Sequence, residues 1–121
     1  MNAVNWFEIA VDDLERAKKF YEAVFEKELQ QVALGEDLMA LFPYDPQIAN
    51  ASGALVKGRN YTPGMSGTKI YFHSEDVNNE LARVEKLGGQ IVMAKTNIGD
   101  FGNIAFFQDT EGNLIGLHSR G

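Results

Sequence analysis

The sequence predicts an α+β fold built from two tandem βαβββ modules, with residues 1–121 forming a single domain. The order of β-prone and helical segments in the first half recurs in the second half. Corresponding residues also keep a fixed spacing, since Asp13 and Asp76 lie 63 residues apart, as do Gly53 and Gly116. A chain of 121 residues suffices for one domain with a hydrophobic core but is short for two independent domains.

The first module is predicted to span about residues 1–58. Its first strand, residues 4–11, alternates apolar side chains on one face with Trp6 and Glu8 on the other. Asp12 and Asp13 begin a helix, and we expect Asp12 to form a capping box with Glu15. This helix carries apolar residues at helical spacing, namely Leu14, Ala17, Phe20, Tyr21, Val24 and Phe25. Three strands are predicted to follow, at residues 29–34, 37–42 and 52–57.

The second module is predicted to span about residues 68–121, after a glycine-rich connector at 58–67. A strand at 68–74 precedes a helix that Asp76 caps and that Gly88 and Gly89 end. The remaining strands are predicted at residues 90–95, 103–108 and 113–118, and the last two form a terminal hairpin around the segment Asp109-Thr-Glu-Gly-Asn113.

Each βαβββ unit leaves one sheet face uncovered. Pairing the two sheets is expected to form a cup-shaped, partly closed mixed β-sheet, with a pocket between the halves.

Composition narrows the possible partners and locations. The chain has 11 basic and 17 acidic residues, so its net charge of -6 repels phosphate backbones and excludes nucleic acid as an expected partner. It has no cysteine, which removes disulfides and thiolate metal sites. It shows no long apolar run and no secretion signal, so we expect no membrane partner and a cytoplasmic location.

Several segments together resemble the vicinal oxygen chelate superfamily, which groups glyoxalase I, bleomycin-resistance proteins, extradiol dioxygenases and fosfomycin-resistance proteins. The resemblance covers nearly the whole chain, including the doubled βαβββ order of the glyoxalase/bleomycin resistance/dioxygenase fold. It is carried by Phe7-Glu-Ile-Ala-Val-Asp-Asp-Leu-Glu-Arg-Ala-Lys-Lys-Phe-Tyr-Glu-Ala-Val-Phe25, by Leu87-Gly-Gly89 and by Asp109-Thr-Glu-Gly-Asn-Leu-Ile-Gly-Leu117.

The resemblance implies four metal-ligand positions. Family members typically hold a divalent metal with a His, Glu or Gln on the first strand of each half and a Glu on the last strand. The matching first-strand positions here are Trp6 and Lys69, and the matching last-strand positions are Gly53 and Gly116. Indole and glycine supply no ligand, and an ammonium group must first lose its proton. We therefore predict no metal at the family's site.

The resemblance implies that the family's ligand positions face the cup. Strand alternation would then place a polar and aromatic set there, namely Trp6, Glu8, Lys69, Tyr71, His73, Gly116 and His118. Trp6 would stack on a flat ligand or be a partly buried aromatic with a hydrogen-bond partner. Glu8 is a candidate general base, and an ion pair with Lys69 across the cup is the alternative. The glycines would enlarge the pocket by omitting side chains.

A divalent metal held by Glu8, His73 and His118 is the alternative to a metal-free cup, because these are suitable ligand types. The histidines would otherwise be proton shuttles or solvated side chains at strand ends.

The leading hypothesis is a glyoxalase- or bleomycin-resistance-like protein that binds a small organic molecule in its cup without the family's metal. The alternative is a lyase or isomerase, metal-free or with displaced ligands. In the metal-free form Glu8 acts as base while Lys69 or His73 stabilises an oxyanion. A third hypothesis is an assembly subunit with a vestigial cup. Exposed sheet edges favour a homodimer in each case.

Overall fold

The computed structural model describes residues 2–47 and 50–121. The described part of the first module contains β1 (Trp6–Ala10), α1 (Leu14–Phe25), β2 (Gln30–Leu34), β3 (Asp37–Leu41) and β4 (Ser52–Lys57). The second module contains β5 (Tyr71–His73), α2 (Val77–Val84), β6 (Gln90–Asn97), β7 (Asn103–Gln108) and β8 (Leu114–Ser119). Short 3-10 turns at Glu85–Leu87 and Gly99–Phe101 adjoin α2 and β6.

Each module forms a four-stranded mixed sheet. The strand order is β1-β4-β3-β2 in the first sheet and β5-β8-β7-β6 in the second. In both sheets, the first strand of the module is an edge strand and pairs in parallel with the last strand, and the other pairs are antiparallel. The predicted fold of tandem βαβββ modules is confirmed. The strand β5 is shorter than the predicted 68–74, so Lys69 precedes it rather than lying in it.

The start of α1 differs from the predicted capping box. Asp13, not Asp12, is the N-cap, and its carboxylate accepts from the amide of Arg16 at 3.0 Å. The amides of Asp12 and Asp13 both donate to Glu111 of the second module at 2.9 Å. The carboxylate of Glu111, 98 residues after Asp13, thus accepts the hydrogen bond that Glu15 was expected to accept.

The two modules share one hydrophobic core on the helix side of both sheets. The predicted apolar stripe of α1 is buried as expected. Phe72 of β5 joins the modules, because its ring lies 4.4 Å from that of Phe25 and 5.6 Å from that of Phe7, measured between centroids. Removing either module would expose aromatic surface of the other.

The turn between β7 and β8 ties the second module to the first through buried polar groups. Asp109 accepts from the hydroxyl of Tyr21 at 2.6 Å, and Asn113 donates to the carbonyl of Ala10 at 2.8 Å. Both turn residues are at most 8% exposed. Burial, followed by the nearby charge of Asp109, raises the pKa of Tyr21 well above its ordinary value, so the phenol stays a donor.

Candidate functional site

Each sheet has an outer face, which we define as the face opposite the shared core. On the first sheet, Trp6 and Glu8 alternate with the core residue Ile9 and therefore lie on the outer face. On the second sheet, Tyr71 and His73 lie on the outer face because Phe72 between them packs against the core.

The last strands of the two modules, β4 and β8, do not correspond as the 63-residue spacing of Gly53 and Gly116 predicted. In the second sheet Gly116 pairs with Tyr71 on the outer face. In the first sheet Gly53 pairs with Phe7, so it lies on the core side, and Ala54 takes the outer position beside Glu8. The assignment of Gly53 to the cup was therefore wrong by one residue, and a one-residue slip in a strand reverses the face.

Neither glycine leaves open space. A Cβ built on Gly53 would meet the carbonyl oxygen of Phe7 and lie 2.7 Å from its ring. A Cβ on Gly116 would lie 2.6 Å from the ring of Tyr71. The glycines admit aromatic rings against the backbone, so the expectation that they enlarge the pocket is wrong for both.

The outer face of the first sheet carries a small apolar cluster covered in part by the connector. Met39, Ala54 and Val56 are buried there, and Tyr61 of the connector packs against them. The hydroxyl of Tyr61 donates to Glu8 at 2.6 Å. This hydrogen bond, together with partial desolvation, raises the pKa of Tyr61.

Glu8 and Lys69 do not form the expected ion pair within the described residues. The polar partner of Glu8 is Tyr61, and the exposed Lys69 takes part in none of the ion pairs found there.

The outer face of the second sheet is aromatic and imidazole-bearing. The ring of Tyr71 is 46% exposed and lies 5.7 Å from that of Phe106, while it covers Gly116. His73 of β5 and His118 of β8 lie opposite each other in the parallel strand pair. His118 Nε2 donates to the carbonyl oxygen of Phe101 at 2.6 Å, because a carbonyl can only accept. His73 is solvated, with Nε2 3.8 Å from Glu75.

The described residues contain no cluster of three or more His, Asp or Glu side chains suited to a metal ion. The alternative ligands Glu8, His73 and His118 accordingly do not form such a cluster. At the family's ligand positions the chain carries Trp6 and Lys69, with Ala54 in place of Gly53 beside Gly116 as the last-strand pair. Indole, methyl and ammonium groups and a glycine do not fit a divalent metal.

Two hollows border α1 or β1. The larger, of about 920 Å³, is lined by the first module alone and contains Trp6, Tyr44 and Asp45. The smaller, of about 390 Å³, lies between α1 and the second module and includes Arg16, Leu87 and Thr110.

Sequence reasoning did not identify Tyr44, Asp45 or Tyr61 as site residues. Each belongs to a proline-containing loop that was interpreted as a connection. The available signal was a tyrosine within each loop, since loops often carry binding residues and a tyrosine combines an apolar ring with a hydroxyl group.

The outer faces combine a carboxylate, imidazoles and exposed rings, which suit binding of a small organic molecule and proton transfer at Glu8. No helix among the described residues has the length and apolarity needed to cross a membrane.

Comparison with known sequences gives a family match and curated relatives. Residues 3–117 match the sequence model of the Glyoxalase/Bleomycin resistance protein/Dioxygenase superfamily. The chain is 30% identical over 121 residues to a glyoxylase-like domain-containing protein from Didymella fabae, covering 97% of this chain and 93% of the relative. It is 28% identical to putative glyoxylase CFP32 from Mycobacterium bovis over 93% of this chain, but spans only 44% of that relative.

Solved structures share the fold at low sequence identity. A glyoxylase/bleomycin resistance protein/dioxygenase domain from Frankia sp. EAN1pec is similar with a TM-score of 0.74 at 15% identity, over 98% of both chains. TnmS3, an antibiotic binding protein from Streptomyces sp. CB03234, is similar with a TM-score of 0.69 at 22% identity, over 100% of this chain and 98% of that one.

Proposed function

Because the chain belongs to the Glyoxalase/Bleomycin resistance protein/Dioxygenase superfamily, we propose that it binds a small organic molecule on the outer faces of its sheets, without the family's divalent metal. The observation that carries this proposal is the set of residues at the four ligand positions, Trp6, Ala54, Lys69 and Gly116. A family scaffold without metal-binding side chains retains surfaces for recognition but no Lewis acid held at those positions.

Exposed aromatic and charged groups would supply the recognition. The rings of Trp6 and Tyr71 are 37% and 46% exposed, although aromatic side chains normally bury most of their surface. Lys69 would bind a carboxylate, and Glu8, His73 and His118 would exchange hydrogen bonds with polar groups of the ligand. The similarity to TnmS3, an antibiotic binding protein, supports a binding role.

Metal content tests the metal-free part of the proposal. Protein purified without chelators should contain far less than one divalent ion per chain when measured by elemental mass spectrometry, and added Zn²⁺ or Mn²⁺ should not raise the melting temperature. One tightly held ion per chain would contradict the proposal.

Ligand screening tests the binding part. A ligand that binds only the folded state raises the melting temperature, and Tyr71→Ala should reduce that rise. Leu38→Ala is the matched control, because Leu38 is 39% exposed and lies on the core-side face of β3, which it shares with Ala40, rather than on an outer face. If no member of a broad library of small organic molecules raised the melting temperature, the binding proposal would fail, as the hypothesis of a vestigial cup requires.

A carboxylate on the outer face of the first sheet, oriented by the hydroxyl of Tyr61, supports an isomerase or lyase as the second candidate function. In this candidate Glu8 takes a proton from the carbon beside a carbonyl group, and Lys69 or His73 stabilises the resulting enolate oxygen. With an α-hydroxy ketone as substrate, the hydroxyl proton moves to the enolate oxygen and the proton held by Glu8 is delivered to the former carbonyl carbon, which completes an isomerisation without an added redox partner.

Exchange of carbon-bound hydrogen tests this candidate. In D₂O, wild-type protein should catalyse deuterium incorporation beside the carbonyl of an α-hydroxy ketone, as followed by NMR, and Glu8→Gln should abolish it. Glu15→Gln is the control, because Glu15 is 82% exposed on α1 and pairs with Lys19 rather than with any group of the proposed mechanism. Equal exchange by wild type and Glu8→Gln would remove Glu8 from the role of base.

We also propose a homodimer in which exposed sheet edges of two copies pair. The edge strands are β1 and β2 in the first sheet and β5 and β6 in the second. Pairing at an edge adds a strand from the other copy and leaves the outer faces free for the ligand. Sedimentation at several protein concentrations should give the mass of two chains, and a monomer throughout would contradict this proposal.

A further inference from the structure

Two neighbouring aromatic side chains belong to the lining of the larger hollow. Trp6 and Tyr44 are 37% and 57% exposed, and their ring centroids lie 5.9 Å apart at an interplanar angle of 60°. The two rings touch each other at the hollow yet keep much of their surface in solvent. A flat ligand that lay over one or both rings would bury this surface.

The charge at the hollow is negative. Asp45 lines it, and one carboxylate oxygen of Asp45 accepts from the amide of Gln47 at 2.9 Å, which fixes the side chain. Glu8 lies two residues from Trp6 on the same face of β1. The described residues that line the hollow include no lysine or arginine, and the whole chain carries a net charge of -6.

Aromatic faces and a carboxylate together select cations. The face of an aromatic ring is electrostatically negative, and tryptophan attracts cations most strongly among the aromatic side chains. A neutral flat ligand would use the rings but not Asp45, and an anion would be repelled by Asp45. The volume of about 920 Å³ accommodates a ligand of two or three fused rings.

We propose that this hollow binds a planar organic cation, which stacks on Trp6 and Tyr44 and holds its positive charge beside Asp45. This inference rests on the proposed function and adds to it the class of ligand and the part of the outer face that receives it. The binding elements belong to the first module only.

A matched set of probes tests the proposal. The planar cation is 10-methylacridinium, the neutral analogue is 10-methylacridone, the anion is acridine-9-carboxylate, and the non-planar cation is tetraethylammonium. Calorimetry measures each affinity. Trp6 is the only tryptophan in the chain, so quenching of its fluorescence reports stacking at the hollow, with N-acetyltryptophanamide as the reference for collisional quenching.

The expected order of affinity is planar cation first, neutral analogue second, and the other two probes last. Raising NaCl from about 20 mM to about 500 mM should weaken binding of the cation and leave the neutral analogue unchanged.

Paired variants separate the charge from the rings. Asp45→Asn should weaken binding of 10-methylacridinium about threefold, and it keeps an oxygen that can accept from the amide of Gln47. The control is Asp100→Asn, at an exposed aspartate of the 3-10 turn Gly99–Phe101, which should leave this affinity unchanged. Tyr44→Ala should weaken binding of 10-methylacridinium about fivefold, whereas Tyr44→Phe, which keeps the ring, should retain most of the wild-type affinity.

Equal affinity for the cation and the neutral analogue, or no response to Asp45→Asn, would overturn the inference. Failure of all four probes alongside other small molecules that raise the melting temperature would also overturn it, while leaving the proposed function intact. Failure of the probes and of the whole ligand library would reject both.

Discussion

Glu111 is a buried carboxylate on which the contact between the modules depends. Its side chain has no exposed surface, and it accepts from the guanidinium of Arg16 at 2.8 and 3.0 Å. Burial raises its pKa, but hydrogen bonds from Arg16, from the amides of Asp13 and Asp12 and from Thr110 outweigh that effect. They lower the pKa from 4.5 to about 2.

Stability should therefore fall in acid. Because the folded-state pKa of Glu111 is depressed, its stabilising contribution is complete above about pH 4.5 and is lost as the pH falls toward 2. A shift of this size corresponds to about 3 kcal/mol in the free energy of unfolding.

Glu111→Gln should lower the free energy of unfolding at pH 7 by about 3 kcal/mol, and its difference from wild type should shrink between pH 5 and pH 2, as measured by urea denaturation. Glu15→Gln is the control, because Glu15 is 82% exposed in its pair with Lys19. A difference that stayed constant with pH would contradict the assigned role of Glu111.

The two last-strand glycines should respond unequally to substitution. At Gly53 an added methyl group meets the backbone oxygen of Phe7, which cannot move away, so Gly53→Ala should destabilise the protein by about 3 kcal/mol. At Gly116 the obstacle is the exposed ring of Tyr71, which can rotate, so Gly116→Ala should cost under about 1.5 kcal/mol. Thermal melts of both variants compare them directly, and equal losses would reject this explanation.

At the scale of elements, the beginning of α1 distinguishes two neighbouring aspartates. Asp13→Ala should lower the free energy of unfolding by about 1 kcal/mol, because it removes the N-cap that accepts from Arg16. Asp12→Ala should cost only a few tenths of a kcal/mol, because Asp12 contributes its backbone amide and carbonyl rather than its carboxylate. Equilibrium denaturation measures both, and the reverse order would favour the capping box predicted from sequence.

The sequence predicted the elements well because their signals are local. Hydrophobic period and caps identified α1, while strand alternation and turn residues identified β4 and β7 with their observed bounds. The bond from Glu111 to the amide of Asp13 could not be predicted, because it joins residues far apart in sequence. The register of β4 relative to β1 was predicted wrongly for a related reason. The loop before β4 and the turn before β8 place their strands in registers that differ by one residue.

The site was less predictable than the fold. Alternation along β1 and β5 correctly assigned the faces of Glu8 and Tyr71. Loop conformation decided the rest, since Tyr61 reaches Glu8 from the connector and Tyr44 reaches Trp6 from the loop after β3. No periodic pattern specifies where a loop side chain packs.

At the scale of the whole molecule, the shared core predicts that both modules unfold together. Trp6 reports on the first module by fluorescence, and the two histidines of the chain, His73 and His118, report on the second by NMR. Their transitions in urea should coincide, because the aromatic contacts of Phe72 and the buried bonds of the turn join the modules. Separate midpoints would show that each module is stable without the other.

The dependence of α1 on Glu111 has a practical consequence for dissecting the chain. A cut within 58–67 leaves α1 in one fragment. Glu111, which accepts from the amides at the start of α1, and Phe72, which packs on Phe25, are then in the other fragment. The two pieces carry complementary sets of interactions, so they are natural candidates for a split reporter whose signal appears only on reassembly.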